Sequence, residues 1–309
     1  MRIGVDLGGT NVRAGLVKDG HIVRLLSEPC KADRPEGEVV DHIASLIGEL
    51  MRPEVSRIGI GVPSVVDAAR GIVYNVVGIP SWREVYLKDL LEKRFSVPVH
   101  VNNDCNCFAL GVCRFGEASA FSDVVCVALG TGVGGGVVLG GKLLTGYTGA
   151  ASEIGHMVIA ENGEECTCGS RGCFEAYSSA TALIRDTKRT MAAHPESLLH
   201  AIAAEQGGVD GRTAFLAKER GDEAGAQVVE DYIEHLACGL TNLVNIFFPE
   251  VLALSGGVAN QGDALLLPLR ERVRERSFGS RYAVSHTRIE LCTLGYRAGV
   301  IGAAMLARE

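Results

Sequence analysis

The sequence contains no apolar run of about 18 residues or more, the length a membrane-spanning helix needs. Its opening, Met-Arg-Ile-Gly-Val-Asp, runs straight into a strand pattern and lacks the apolar core of a secretion signal. Both absences point to the cytosol, where clustered cysteines serve more often as metal ligands than as disulfides. A sustained basic stretch is missing too, and the net charge is −7. The densest run of cations, Arg270, Arg272, Arg274 and Arg276, is interleaved with Glu271 and Glu275. That spacing fits a solvated helix face rather than a nucleic-acid footprint. Neither a membrane nor a nucleic acid is therefore expected as a partner.

What is present describes a globular chain. Of 309 residues, 47% are apolar and 22% charged, enough for one large or two medium domains. The 39 glycines occur in clusters, the pattern left where backbone approaches something closely. Arg2 to Asp6, Asn11 to Val17 and Ile22 to Ser27 read as three strands of a meander, the last two joined through Asp19-Gly20. Val39, Val40, Ile43, Leu46, Ile47 and Leu50 repeat with a helical period over 38–51, ended by Pro53. A strand over 57–62, a helix over 87–95 and a strand over 97–102 follow. Strand signals return at 123–129 and 137–139, around a glycine turn spanning 130–136. Each half thus opens as strand, Gly/Thr turn, strand, glycine turn, strand, a weak internal repeat of pattern. Helices are expected over 181–193, 224–247 and 298–306, and a strand over 251–254 leads into Ser255-Gly256-Gly257. Mixed elements of this kind indicate an α/β protein.

Three short stretches carry chemistry. Asp6-Leu7-Gly8-Gly9-Thr10 places a carboxylate, two glycines and a hydroxyl together. Its backbone N–H groups can approach an anion, and Asp6 can hold a water of hydrated Mg2+. The same sequence also suits an ordinary hairpin turn. No Gly-Lys-Ser/Thr follows, which excludes a Walker A loop. Gly130-x-Gly132-x-x-Gly135 matches a dinucleotide fingerprint in form, but a strand follows where that motif requires a helix. Two such turns between strands suit a nucleotide gripped between two lobes, with Gly256 and Gly257 as a further backbone contact near adenosine. Asn102-Asn103-Asp104 closes a strand; Asp104 could take a proton from a substrate hydroxyl, or the group could cap the following helix.

The third stretch, residues 150–175, combines His156 with Cys166, Cys168 and Cys173 and with the carboxylates Glu153 and Glu175. Three thiolates and one imidazole fill a tetrahedral zinc shell, which makes the metal structural. The polar composition around Cys166-x-Cys168-x4-Cys173 could not bury three thiols as core.

Asp-Leu-Gly-Gly-Thr at 6–10, Asn-Asp at 103–104, Leu-Gly-Thr-Gly-Val-Gly-Gly-Gly at 129–136, Glu-Ile-Gly-His at 153–156, Cys-x-Cys-Gly-x-x-Gly-Cys-x-Glu at 166–175 and Ser-Gly-Gly-Val at 255–258 stand in order along the chain. Together they resemble the ROK family of sugar kinases and repressors, within the sugar kinase and actin-like ATPase superfamily, over nearly the whole length. The resemblance implies a two-lobed actin-like ATPase (ribonuclease H-like) fold with a cleft between lobes. The smaller N-terminal domain would span 1–115 and the larger C-terminal domain 116–297, with the zinc segment at 156–173. A C-terminal helix over about 298–309 would return to the first domain. The implied activity is ATP-dependent phosphorylation of a hexose in the cytoplasm, with ATP, Mg2+ and structural Zn2+. Glucose is the first expected substrate; N-acetylglucosamine or N-acetylmannosamine, or sugar binding without transfer, are the alternatives. Asp104 falls on the catalytic base. Asn75, Asn103, Glu153, His156 and Glu175 fall on sugar ligands, alongside Asp104. Asp6, Gly8, Gly9, Thr10, Asn11, Gly130, Thr131, Gly132, Gly134, Gly256 and Gly257 fall on the nucleotide site. His156 would meet sugar with one nitrogen and zinc with the other. Family repressors carry an N-terminal helix-turn-helix domain, for which the strand at Arg2 leaves no room. A homodimer or homotetramer is the expected assembly.

The chain departs from the family pattern in three places. The loop at Asn75 reads Val-Val-Gly-Ile-Pro-Ser-Trp where Leu-Pro-Gly-Trp is usual. Ser152 replaces a glycine. Cys105, Cys107 and Val112 replace commoner residues after Asp104.

Overall fold

The computed structural model describes residues 1–8, 10–76, 78–282 and 285–307. The chain divides into two compact units. The first comprises Met1–Cys126, Gly136–Ser152 and Thr293–Glu309; the second comprises Val127–Gly135 and Glu153–Cys292.

The first unit is built on strands β1 (Arg2–Leu7), β2 (Asn11–Lys18), β3 (His21–Pro29), β4 (Ile58–Val62) and β8 (Val99–Asn103), in the order β3-β2-β1-β4-β8. The β1–β2 and β2–β3 pairs are antiparallel, while β4 pairs parallel with β1 and β8. The opening meander read from the sequence is therefore present. Parallel pairing needs crossovers, supplied by helices α1 (Glu36–Leu50) and α2 (Leu87–Phe95). Helix α1 follows Pro35 and carries Glu36 and Glu38 in its first turn, where the helix dipole favours negative charge. Its apolar stripe is buried against the sheet together with Trp82, Leu87 and Leu91. A small sheet of β5 (Val65–Asp67), β6 (Ile72–Tyr74) and β7 (Glu84–Val85) lies between these elements in sequence. Its strands are too short for an alternation to show in the sequence. Helix α3 (Asp104–Phe115) starts directly where β8 ends.

The second sheet has the order β11-β10-β9-β12-β13, with β9 (Val124–Leu129), β10 (Val133–Leu139), β11 (Lys142–Leu143), β12 (Val251–Ser255) and β13 (Arg288–Leu291). Its order of strands repeats that of the first sheet, so the weak repeat of pattern is a repeat of topology. Strand β10 begins at Val133, three residues before the expected turn ends. Val133 is buried, and Gly136 within the strand serves close packing rather than turning. A Cβ at Gly136 would lie 2.6 Å from the Ala109 Cβ and 2.8 Å from the Cys105 carbonyl oxygen of α3.

The helices of the second unit are α4 (Glu175–Ser178), α5 (Ala180–Ala193), α6 (Leu199–Gln206), α7 (Thr213–Glu219), α8 (Glu223–Phe247), α9 (Asp263–Arg276) and α10 (Phe278–Tyr282). The Asp222 carboxylate caps α8, accepting the Gly225 N–H at 2.7 Å. Three of the four arginines of α9 are tied down rather than merely solvated. Arg272 and Arg276 donate to Glu234 of α8 at 2.7 and 2.6 Å, and Arg270 donates to Glu290 at 2.9 Å. Among the described residues no helix is long and apolar enough to cross a membrane.

The last helix, α11 (Arg297–Met305), belongs to the first unit, where it packs on α3, β1 and β4. Small residues let the backbones touch. A Cβ at Gly302 would run into the Cys107 carbonyl oxygen of α3, with the Gly111 nitrogen 2.7 Å away. Backbone offers no rotamer to move aside. Gly302→Ala is expected to cost about 1–3 kcal/mol of stability, read as a lower urea midpoint at unchanged m-value.

Candidate active site

Two acidic side chains meet in the first unit. Asp6 sits near the end of β1, opposite Arg13 of β2 in the hairpin register, with the Arg13 Nη1 at 3.6 Å. Burial pushes the Asp6 carboxyl up to about 6; the Asp104 charge adds to the rise and Arg13 opposes it. Asp104 is the first residue of α3. Burial raises its carboxyl as well, while the Cys105 N–H, donating to Oδ1 at 2.8 Å, pulls the other way. The result is a carboxylate of raised basicity held at a helix N-terminus, a form suited to accept a hydroxyl proton.

Asn103 is the N-cap of α3. Its Oδ1 accepts from the Cys105 and Asn106 N–H groups at 2.9 and 3.2 Å, and its Nδ2 donates to the Ser64 carbonyl at 3.3 Å. The capping role and the proton-accepting role, alternatives in sequence, thus fall on neighbouring residues. Asn75 opens the β6–β7 loop in the left-handed region, at φ 44°, and its N–H donates to the Arg83 carbonyl at 2.9 Å. In the turn between β1 and β2, the Gly8 N–H donates to the Asn11 carbonyl at 2.9 Å, and Thr10 accepts from the Cys30 N–H at 2.9 Å. Asn11 begins β2. Gly9 lies outside the described residues.

In the second unit the glycine turn is short and anchored. The Gly130 N–H donates to the Gly132 carbonyl at 3.0 Å, and the Gly130 carbonyl accepts from the Ala180 N–H of α5 at 2.8 Å. The Thr131 carbonyl accepts from the Thr181 hydroxyl at 2.7 Å. Gly134 lies one residue into β10. Val133 is a junction. Its N–H donates to the Glu175 Oε2 at 2.9 Å, and its carbonyl lies where a Cβ on Gly155 would be. Gly155 belongs to a 3-10 turn, Ile154–His156, whose flanking Glu153 and terminal His156 are exposed. The other Glu175 oxygen accepts from the Thr167 hydroxyl at 3.1 Å and lies 3.7 Å from the Cys166 sulfur. Gly256, after β12, takes a φ of +97°, and the space where a Cβ on Gly257 would stand is open.

The donor atoms of His156, Cys166, Cys168 and Cys173 all lie within 4.8 Å of one another. A short hairpin folds them together: Cys173 pairs with Val158 and Arg171 with Glu165, and the Cys166 N–H donates to the Ser170 carbonyl at 2.9 Å. The Cys168 and Cys173 sulfurs are 3.7 Å apart, as are the Cys166 sulfur and the His156 Nδ1. Zinc–sulfur bonds of about 2.3 Å in a tetrahedron require sulfurs about 3.75 Å apart. The residues therefore fit a zinc ion, with Nδ1 of His156 on the metal side. The Ser170 N–H brings the exposed Cys168 thiol down to about 7, whereas burial pushes Cys173 up to about 12.

Comparison with protein families matches residues 2–309 to the ROK family. The chain belongs to the ROK family. It is 36% identical to a glucokinase of Thermotoga maritima over 99% of this chain and 97% of that protein. It is equally similar, at 36%, to a glucokinase of Streptomyces coelicolor, over 100% and 98% of the two chains. Among solved structures, a ROK family glucokinase from Streptomyces griseus in complex with glucose and AMPPNP superposes with a TM-score of 0.84, at 34% identity and 99% coverage of both chains. The fold is the two-domain actin-like ATPase fold of the ROK sugar kinases, as the sequence led one to expect.

Several members of this ROK site were not read from the sequence. Arg13 could have been, because a hairpin turning at Gly8–Thr10 places it opposite Asp6. Ser64, Val133 and Thr167 act through backbone or a lone hydroxyl and leave no signal in residue type. Ser152, standing where the family favours glycine, has a φ of 70°. That conformation costs a non-glycine residue about 1–2 kcal/mol. Ser152→Gly is expected to raise the unfolding midpoint. Purified protein is expected to hold one zinc per chain by metal analysis, and Cys173→Ser to lose it; a metal-free wild type would refute the site. Glu175→Gln keeps the shape but weakens the hold on the Val133 N–H. It is expected to raise KM for the nucleotide as well as for the sugar.

Proposed function

We propose that this chain is an ATP-dependent glucokinase, moving the γ-phosphate of ATP to the 6-hydroxyl of glucose. The observation that carries the reading is full-length similarity, at 36% identity, to glucokinases. The glucose- and AMPPNP-bound Streptomyces griseus glucokinase, at 34% identity, supports it.

Asp104 is the base. As the sugar oxygen attacks, Asp104 takes its proton, the new O–P bond forms, and the bond from the γ-phosphorus to the bridging oxygen breaks to release ADP. Phosphoryl transfer asks chiefly for positioning and charge neutralisation. The backbone turns at Gly8–Thr10 and Gly130–Gly134 are assigned to the phosphates, with Asn11, and Gly256 and Gly257 to the adenosine end. Mg2+ would supply neutralising charge to the phosphates, and Asp6 is the residue assigned to its hydration shell. Asn75, Asn103, Glu153, His156 and Glu175 are assigned to the sugar. A zinc ion held by His156, Cys166, Cys168 and Cys173 would fix the ring of His156 and leave Nε2 for a hydroxyl. The N-terminal domain thus supplies the base and the C-terminal domain the zinc segment.

We place the protein in the cytoplasm as a homodimer or homotetramer. Ile246, Phe278 and Tyr282 are 65%, 71% and 76% exposed, which supports association. A role in glycolysis follows from the reaction.

ADP release measured with glucose, N-acetylglucosamine, N-acetylmannosamine, mannose, fructose and allose, one at a time, tests the proposal; glucose is expected to be fastest. Silence on every sugar from folded, zinc-loaded protein would sink it. Asp104→Asn is expected to lower kcat by about 10²–10⁴-fold while glucose binding survives. Because burial raises the Asp104 carboxyl, and the base works only when ionised, kcat/KM should fall on acidification through a pKa above the usual carboxylate value of about 3.9.

A further inference from the structure

A cavity of about 1000 Å³ lies wholly within the first unit. None of Asp6, Asn75, Asn103 or Asp104 lines it. It runs beside β8, the edge strand of its sheet, and its other walls come from the end of β5, the loop after β11 and the C-terminal end of α11.

The charged groups on this wall are mostly cations. Lys88 of α2, Arg114 of α3 and Lys142 of β11 line the cavity, with Asp67 as the one lining carboxylate. Asp67 Oδ1 is already taken by the Arg70 N–H at 3.0 Å. Among the described residues, none of the three cations forms an ion pair. Several arginines elsewhere are matched, as Arg270 is to Glu290 and Arg272 and Arg276 are to Glu234. In a chain of net charge −7, three unmatched cations from three separate elements make a local field of the opposite sign. Solvated lysines are ordinary on an open surface; lining one concavity that holds a single carboxylate, they repel one another. An anion with more than one charge relieves that repulsion and gains charge-assisted hydrogen bonds. Thr145 and Thr148 add hydroxyls to the same wall, and the volume suits a small organic molecule.

We infer that this cavity is a second ligand site, separate from the sugar and ATP sites, for a phosphorylated small organic anion of sugar-phosphate size. The test is calorimetric titration of the whole protein with fructose 1,6-bisphosphate as probe, in the presence of saturating glucose and AMPPNP so that the active site is occupied. Saturable binding of one molecule per chain is expected. It should weaken about tenfold or more in Arg114→Ala and in Lys142→Ala, and vanish in the Arg114→Glu/Lys142→Glu double variant. Both residues are exposed, so the variants should keep the wild-type melting temperature, and turnover without the probe should be unchanged. Arg274→Ala, which removes an exposed cation elsewhere, should leave probe binding intact. Absence of binding would overturn the inference. So would binding indifferent to Arg114 and Lys142, or inorganic phosphate binding as tightly as the bisphosphate, which would reduce the cavity to a non-specific patch of charge.

Discussion

The peptide unit at Val133 holds the second unit's chemistry together. Its N–H is received by the Glu175 carboxylate, and its carbonyl leaves room for nothing larger than hydrogen at Gly155. Three motifs far apart in sequence meet there: the glycine turn at 130–132, the Glu-x-Gly-His turn and the cysteine segment. A hydrogen bond to a charged acceptor contributes about 1.5–3 kcal/mol. Losing this one would also leave the Glu175 oxygen without its donor beside the cysteine sulfurs. The cysteine segment is therefore more than a local staple. The residues proposed to hold zinc are continuous, through Glu175, with the backbone proposed to meet phosphate.

The first unit solves a different problem, keeping two carboxylates close and poorly hydrated. Raising Asp6 from 3.8 to about 6 means that its charged form is disfavoured in the folded state by about 3 kcal/mol. The sign follows directly: this cost is absent below pH 4, grows as pH rises toward 6, and is fully present at neutral pH. Arg13 offsets part of it. Such a site gains from any cation brought to it, and a cation that binds only the folded site stabilises the fold.

Much of this was legible in the sequence. Long elements with a clear period were found within a residue or two: α1, α5, α8, α11 and the opening meander. That His156 and the three cysteines would come together could be read because thiols in a polar loop have few other uses. The glycine turn was read too long: Gly136 signals a turn by composition but acts by letting α3 come close. Strands β5 to β7 and helices α6 and α7 are too short to show a period. The junction at Val133 was invisible for a deeper reason: a backbone group has the same chemistry at every position, and only the fold says where it points.

Helix α11 has a consequence for how the molecule comes into being. It fills the first unit against α3, β1 and β4, yet on the ribosome it is made only after residues 153–292. Until then β1 and β4 lack their covering helix, and Gly4, Gly59 and Gly111 face no partner. The second unit is thus free to finish folding before the first can close. A nascent chain stalled short of Arg297 would expose the first unit's unfinished core to chaperones, and a frameshift in the codons of α11 would damage β1, the first strand laid down.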